Sequence, residues 1–274
     1  LVLDATRYDL WTQVVGPTLA AASTSVHSVG SASVEWINET FADEHSARWR
    51  RAGYVTGNPH TAKPGGHKWR NDSVYPLSDR GLAYLDEVWR DRWDVDGMET
   101  VTPSDMTARG LWAWSRRDRF NIDTLVVHYM QPHVPFRNGD WTDGWKNTLA
   151  FGEPDKNPGN KDAWKKLRDG EVLEDEFWAA YRDNLGWVLE ELDVWKRAVD
   201  GTVLVTSDHG NAAGEMGQWG HPPGSANPVL RKVPWAVLEA DGDGVDIEPP
   251  GDPPVLEGIG DVDVAGRLGA LGYR

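Results

Sequence analysis

One stretch constrains this chain more than any other: Thr202 to His221, TVLVTSDHGNAAGEMGQWGH. Val203, Leu204 and Val205 form a short apolar run after Gly201, the composition of a strand buried inside a sheet. The run stops at Thr206 and Ser207, and Asp208-His209-Gly210 follows at once. Open α/β sheets bind ligands beyond the carboxyl ends of their strands, so an acid and an imidazole there mark a candidate crevice. Gly210 lets the backbone turn away sharply. A carboxylate beside an imidazole suits a divalent cation, and His221 is near enough in sequence to join them. Taken alone, the stretch also fits a plain solvated turn.

The same grammar recurs elsewhere. Leu1 to Leu3 reads as the last half of a strand delivering Asp4, which implies residues upstream of Leu1. Thr124 to Met130 reads as a strand delivering Gln131-Pro132-His133-Val134-Pro135, where two prolines stiffen the backbone around a histidine. His133 at that tip is the functional candidate, whereas His128 inside the strand reads as a buried, satisfied side chain. Ala52 to Asn58, Ser25 to Ser28 and Val233 to Leu238 are further strands, the last preceded by Arg231 and Lys232.

Helical patterns alternate with these strands. Trp11 to Ala22 is expected to be helical, kinked or restarted at Pro17. Val34, Ile37 and Phe41 have helical spacing behind Ser33, which is placed to cap that helix and to face the positive end of its dipole. A hydroxyl there is suited to become a stabilised alkoxide, though a simple cap explains it too. Leu77 to Trp93 is amphipathic, with Leu82, Leu85, Val88 and Trp89 on one helical face. Thr102-Pro103 starts a helix running to about Arg117. Phe177, Tyr181, Leu185, Val188, Leu192, Trp195 and Val199 make one stripe of the longest helix, read as core packing. Asp263 to Leu271 reads as a short closing helix. Thr61–Tyr75, Asn138–Asp169 and Gly242–Gly260 read as loops, with 138–170 a candidate lid. No linker or repeat divides the chain, so 1–274 is expected to be one α/β domain.

Composition narrows the chemistry. Cys is 0, which removes disulfides, thiolate nucleophiles and cysteine–zinc sites together. A net charge of −15 argues against coating nucleic acid, which needs a basic face. Acid spread along the whole chain suits concentrated salt, where self-repulsion is screened. No apolar run approaches the roughly 18 residues that span a bilayer, and no targeting signal is visible, so a cytoplasmic or cell-surface location is expected.

LDATRYD, GSASVEW, MQPHVPF, and SDHG followed by GE, GH and RKVPW, in this order, resemble the alkaline phosphatase/sulfatase superfamily, especially its sulfatase-like branch. The resemblance spans nearly the whole chain. It implies a three-layer α/β/α sandwich with a central, mostly parallel sheet. It also implies a metal-dependent hydrolase of phosphate mono- or diesters acting through a serine.

Carried over residue by residue, Asp4, Asp208 and His209 are expected to bind a divalent cation, with Ser33 as nucleophile and additional ligand. His133 and His221 are expected to act on substrate, as acid–base groups or around a second metal. Asn58 is expected at the pocket rim, and Arg231 or Lys232 against the anionic ester. Mn, Mg, Ca and Zn all remain open, one ion being favoured over two, with the oxygen-rich set leaning towards Mn or Mg. Two departures matter. Ala5 stands where sulfatases usually carry a second acid, and the Cys/Ser-x-Pro-x-Arg motif is absent. Ser28 and Ser31 also lie near enough to Ser33 to compete as nucleophile. The expected partner is a small-molecule or glycan- or lipid-linked anionic ester. Transfer of a phosphoglycerol or phosphoethanolamine group, sulfate ester hydrolysis, and a non-catalytic binding role are the alternatives.

Overall fold

The strand that opens the chain lies at the centre of the sheet. In the computed structural model, β1 (Val2–Leu3) runs parallel to β5 (Thr124–Tyr129) on one side and β6 (Asp200–Thr206) on the other. β3 (Ala52–Thr56) and β4 (Tyr84–Glu87) extend the β5 side in parallel. On the β6 side, β9 (Lys232–Asp241) pairs antiparallel with both β6 and β2 (Ser23–His27). The seven-stranded order is β2-β9-β6-β1-β5-β3-β4. Six of these strands therefore point their carboxyl ends to one edge, and β9 starts there. A small hairpin of β7 (Ala212–Ala213) and β8 (Trp219–Gly220) folds over that edge. The structure describes residues 1–61, 77, 81–93, 98–138, 163–242 and 247–252.

Helices cover both faces of this sheet, giving the α/β/α sandwich with a mostly parallel centre. One face carries the Tyr8–Val14 helix, the Pro103–Ser115 helix and the 25-residue Glu174–Ala198 helix. The aromatic stripe is core, as expected: Phe177, Tyr181, Leu185, Val188, Leu192 and Trp195 are all buried. Burying each such side chain contributes on the order of 2 kcal/mol. Thr102 caps the Pro103 helix by accepting from the Asp105 N–H at 3.2 Å. The other face carries the Ser33–Thr40 helix over a smaller cluster of Ile37, Phe41, Tyr54, Leu77 and Leu85. Beside it lies a cavity of about 560 Å³ lined by Val2, Val26, Leu204 and Val233, with Trp235, also in its lining, 37% exposed.

Two expectations change, and the expected break at Pro17 is present. Leu77–Trp93 is not a helix where it is described: Tyr84–Glu87 is the edge strand β4, followed by a single 3-10 turn, Val88–Arg90. Its helical spacing is coincidental, because Tyr84 and Asp86 face one side of β4, Leu85 the other, and all three are buried. Trp11–Ala22 is two helices, Tyr8–Val14 and Pro17–Ala21, with Pro17 starting the second. The Val233–Leu238 strand runs further, from Lys232 to Asp241. The Thr61–Tyr75 loop, most of the 138–170 lid and the Asp263–Leu271 helix lie outside the described residues.

Candidate active site

Because the strands are parallel, acids far apart in sequence arrive at the same edge. Leu3 ends β1 and hands over to Asp4; Thr206 ends β6 two residues before Asp208. Both carboxylates are fully buried, and each has one oxygen pinned. Asp208 Oδ1 accepts from the N–H groups of Ala5 at 3.0 Å and His209 at 2.8 Å. Asp4 Oδ2 accepts from Asn58 Nδ2 at 2.9 Å and from Ser33 Oγ at 3.2 Å. Among the described residues, their other oxygens, Asp4 Oδ1 and Asp208 Oδ2, accept no hydrogen bond. These two atoms lie 3.5 and 3.4 Å from His209 Nε2.

His209 Nδ1 sits 2.8 Å from the Gly210 carbonyl oxygen, which can only accept, so Nδ1 carries the hydrogen and Nε2 a lone pair. Burial lowers the His209 pKa and holds the ring neutral. Burial first, then the charge of Asp208, pushes the Asp4 carboxyl well above its usual range. Two buried carboxylate oxygens without donors, facing a neutral imidazole, are short of positive charge. A divalent cation would supply it, and the two oxygens, one nitrogen and neighbouring hydroxyl could hold one. Asp4, Asp208 and His209 are the one group of this kind among the described residues.

Ser33 is beside this group, though not as the helix cap. Ala32 takes the extended cap position and Ser33 is the first helical residue. Its hydroxyl is turned to Asp4 and to His209 Nε2, 3.1 Å away. A Cβ on Gly30 would lie 2.5 Å from the Trp36 amide nitrogen, so the turn before the helix packs this closely only with glycine. The competing serines are engaged elsewhere. Ser28 Oγ donates to the Asp208 carbonyl, and Ser31 Oγ donates to Glu35 Oε2 at 2.8 Å.

The remaining expected residues divide. Asn58 is not at a rim; it is fully buried and holds Asp4 from below. His221 lies between His209 and His133, with ring centroids at 4.7 and 4.9 Å. His133 Nδ1 is 2.7 Å from the Val134 carbonyl, and burial brings its pKa down to about 4. Burial, then the neighbouring His209 and His133, holds His221 well below its usual value. Neutral rings with Nδ1–H committed offer acceptor nitrogens, so the expected role as proton donors does not suit their resting state. Arg231 reaches the edge but is held by Glu35 Oε1 at 2.7 Å and by the Ser225 and Val29 carbonyls. It braces the Ser33 helix instead of opening towards the cation group. Lys232 Nζ lies 4.8 Å over the Tyr8 ring.

Sequence reasoning missed two neighbours, Asn211 and Tyr181, and read a third, His128, chiefly as a buried core residue. His128 is buried in β5 as expected, with Tyr54 Oη 2.7 Å from Nδ1, yet its Nε2 lies 3.5 Å from Asp208 Oδ2. Asn211 and Tyr181 support the loop that carries His221. Tyr181 was hidden in the aromatic stripe, and nothing in the sequence sets Asn211 apart.

With this geometry in view, the chain was compared with known proteins. It matches no family model and no curated protein. It does resemble solved structures. The soluble domain of lipooligosaccharide phosphoethanolamine transferase A from Neisseria meningitidis has a TM-score of 0.50 at 15% identity, over 87% of this chain and 75% of that one. The integral membrane form of that transferase matches at 0.50 and 15%, over 87% of this chain and 46% of its own. The periplasmic domain of phosphoethanolamine transferase EptC from Campylobacter jejuni has a TM-score of 0.49 at 14% identity, over 99% of this chain and 86% of that one. The likeness is one of fold. Among the described residues, no helix of this chain is long and apolar enough to cross a membrane.

Proposed function

We propose that this chain transfers a substituted phosphoryl group through a covalent ester on Ser33, with a glycan- or lipid-linked hydroxyl as acceptor. Asp4, Asp208, His209 and Ser33 would hold one divalent cation. The observation that carries the reading is the Ser33 hydroxyl, which lies 3.1 Å from His209 Nε2 and 3.2 Å from Asp4 Oδ2 on the first residue of a helix. The bound cation would lower the pKa of that hydroxyl and neutralise charge on the transferring oxygens.

The chain's own groups do the rest. Asp4 accepts the Ser33 hydrogen in the resting site, and the helix N-terminus faces the developing anion. Ser33 gives its proton to Asp4 Oδ2 as Oγ bonds to phosphorus and the bond to the leaving oxygen breaks, the leaving group departing as its oxyanion. An acceptor hydroxyl then attacks phosphorus, giving its proton to an imidazole nitrogen of His221 or His133, and Ser33 Oγ departs, taking back the proton held by Asp4. Burial of Asp4, Ser33, His133, Asp208 and His209 limits the access of bulk water.

Hydrolysis, the expectation from the motifs, shares the first half of this scheme and differs in using water as acceptor. The fold likeness to phosphoethanolamine transferase domains supports transfer over hydrolysis. The test is intact-mass analysis of zinc-loaded protein exposed to bis(4-nitrophenyl) phosphate, with and without glycerol as acceptor. A nitrophenyl-phosphoryl adduct mapped to Ser33, absent from S33A and discharged faster by glycerol than by water, is the expected result. An adduct that persists in S33A ends the reading, and discharge that ignores glycerol returns it to a hydrolase.

A further inference from the structure

We propose that Asn211 is a positioning residue of this site, fixing both the ring orientation and the tautomer of His221. Its effect on turnover rests on the reading above; its effect on the imidazole does not.

The argument starts at a carbonyl. Ala5 C=O can only accept, so the Tyr181 hydroxyl gives its single hydrogen to it. With that hydrogen committed, Tyr181 Oη can only accept from Asn211, so the amide atom 3.1 Å away is Nδ2. The other amide atom, Oδ1, is therefore the one 2.6 Å from His221 Nδ1. Oδ1 is an acceptor, so Nδ1 must carry the ring hydrogen and Nε2 the lone pair. Amide orientation and tautomer usually have to be assigned from the surrounding network, and here the network leaves one solution.

His209 and His133 reach the same tautomer through main-chain carbonyls, Gly210 at 2.8 Å and Val134 at 2.7 Å. No substitution removes those. Among the three imidazoles, His221 is the one whose tautomer depends on a side chain. The β7–β8 hairpin brings the two residues together, since Ala212, next to Asn211, pairs with Gly220, next to His221. Asn211 is also tied at its backbone, where its carbonyl accepts from Arg7 Nη1 at 2.9 Å. Its side chain is fully buried with both polar atoms used. An amide suits the position because it holds Nδ1–H without adding a third acid beside Asp4 and Asp208. The other end of the chain of hydrogen bonds is Ala5, whose N–H holds Asp208. The same residue thus anchors a candidate cation ligand through its N–H and, through its C=O, Tyr181 and Asn211, the ring beside it.

The test is nitrogen NMR of 15N-histidine-labelled, zinc-loaded protein, with H221Q used to assign the His221 ring. Wild type is expected to show a neutral imidazole protonated at Nδ1. In N211L the ring loses that single pattern, and turnover of bis(4-nitrophenyl) phosphate falls about 10- to 100-fold at unchanged zinc content. N211D keeps an acceptor opposite Nδ1 and is expected to restore the Nδ1–H pattern that N211L loses, while the added acid keeps turnover below wild type. Y181F keeps the ring packing but frees the amide to turn, so its imidazole pattern mixes. These two variants carry the test if N211L does not fold. An unaltered His221 pattern in N211L or Y181F would overturn the proposal, as would an N211D pattern no better than that of N211L. A wild type with the expected pattern but no turnover would sink the proposed function while supporting the positioning role.

Discussion

Two groups of buried acid at different parts of the same sheet are balanced in opposite ways. Asp86 on β4 meets Arg109 in a paired contact, Nε to Oδ2 and Nη2 to Oδ1, each 2.7 Å. The remaining Arg109 nitrogen reaches Asp91 and the Asp252 carbonyl at 2.9 Å. Asp4 and Asp208 are equally buried, but among the described residues their ion-pair partners are only His128 and His209. The first group brings its own cation on a side chain; the second leaves room for one from solution. Full internal pairing marks a part of the structure, and a deliberate shortage of positive charge marks a site.

That contrast sets the predictions. Breaking the second group should abolish chemistry and spare the fold: D208N and S33A are each expected to lose about ten-thousand-fold in turnover of an aryl phosphodiester. Circular dichroism should be unchanged and melting temperature should stay close to that of the metal-free wild type, because neither side chain belongs to the hydrophobic core. Breaking the first group should do the reverse. D86N leaves the Arg109 guanidinium buried without its carboxylate and should cost about 3–5 kcal/mol in urea unfolding. Replacing both partners, D86L with R109M, should recover much of that loss.

A ligand that binds only the folded protein stabilises it by mass action, so zinc at a hundred times its dissociation constant should add about 3 kcal/mol. The gain should survive D86N and vanish in D208N, which a melting series with and without chelator reads directly. The smallest effect expected is on pH. Burial takes His133 from 6.5 to about 4, so the unfolded chain binds that proton first. Its contribution is full above about pH 6.5 and is lost as pH falls towards 4, at most about 3 kcal/mol. H133N should flatten that part of the metal-free stability profile, and an unchanged slope would show that other groups dominate it.

Much of this was legible in the sequence because strand ends announce themselves. Apolar runs stopping at Asp4, Asp208 and His133 told both the sheet and the edge where the site lies. The helix at Ser33 was legible from the spacing of Val34, Ile37 and Phe41, but the direction of its hydroxyl was not: capping and nucleophilic positions differ by one residue and a rotation. Leu77–Trp93 misled because an edge strand buried on both faces can imitate helical spacing over a few residues. Asn211 and Tyr181 were invisible because their importance comes from partners 10 and 176 residues away, at His221 and Ala5. Arg231 looked like an anion binder by type, and only its contact with Glu35 shows a brace.

The account stands on a cation held between Asp4, Asp208 and His209, so the most direct test is calorimetric titration of chelator-stripped protein with zinc. One site is expected, unchanged in folded D86N and weakened at least about 100-fold in D4N and D208N. Wild-type protein that takes up no zinc or manganese, or D208N that binds as wild type does, would contradict it.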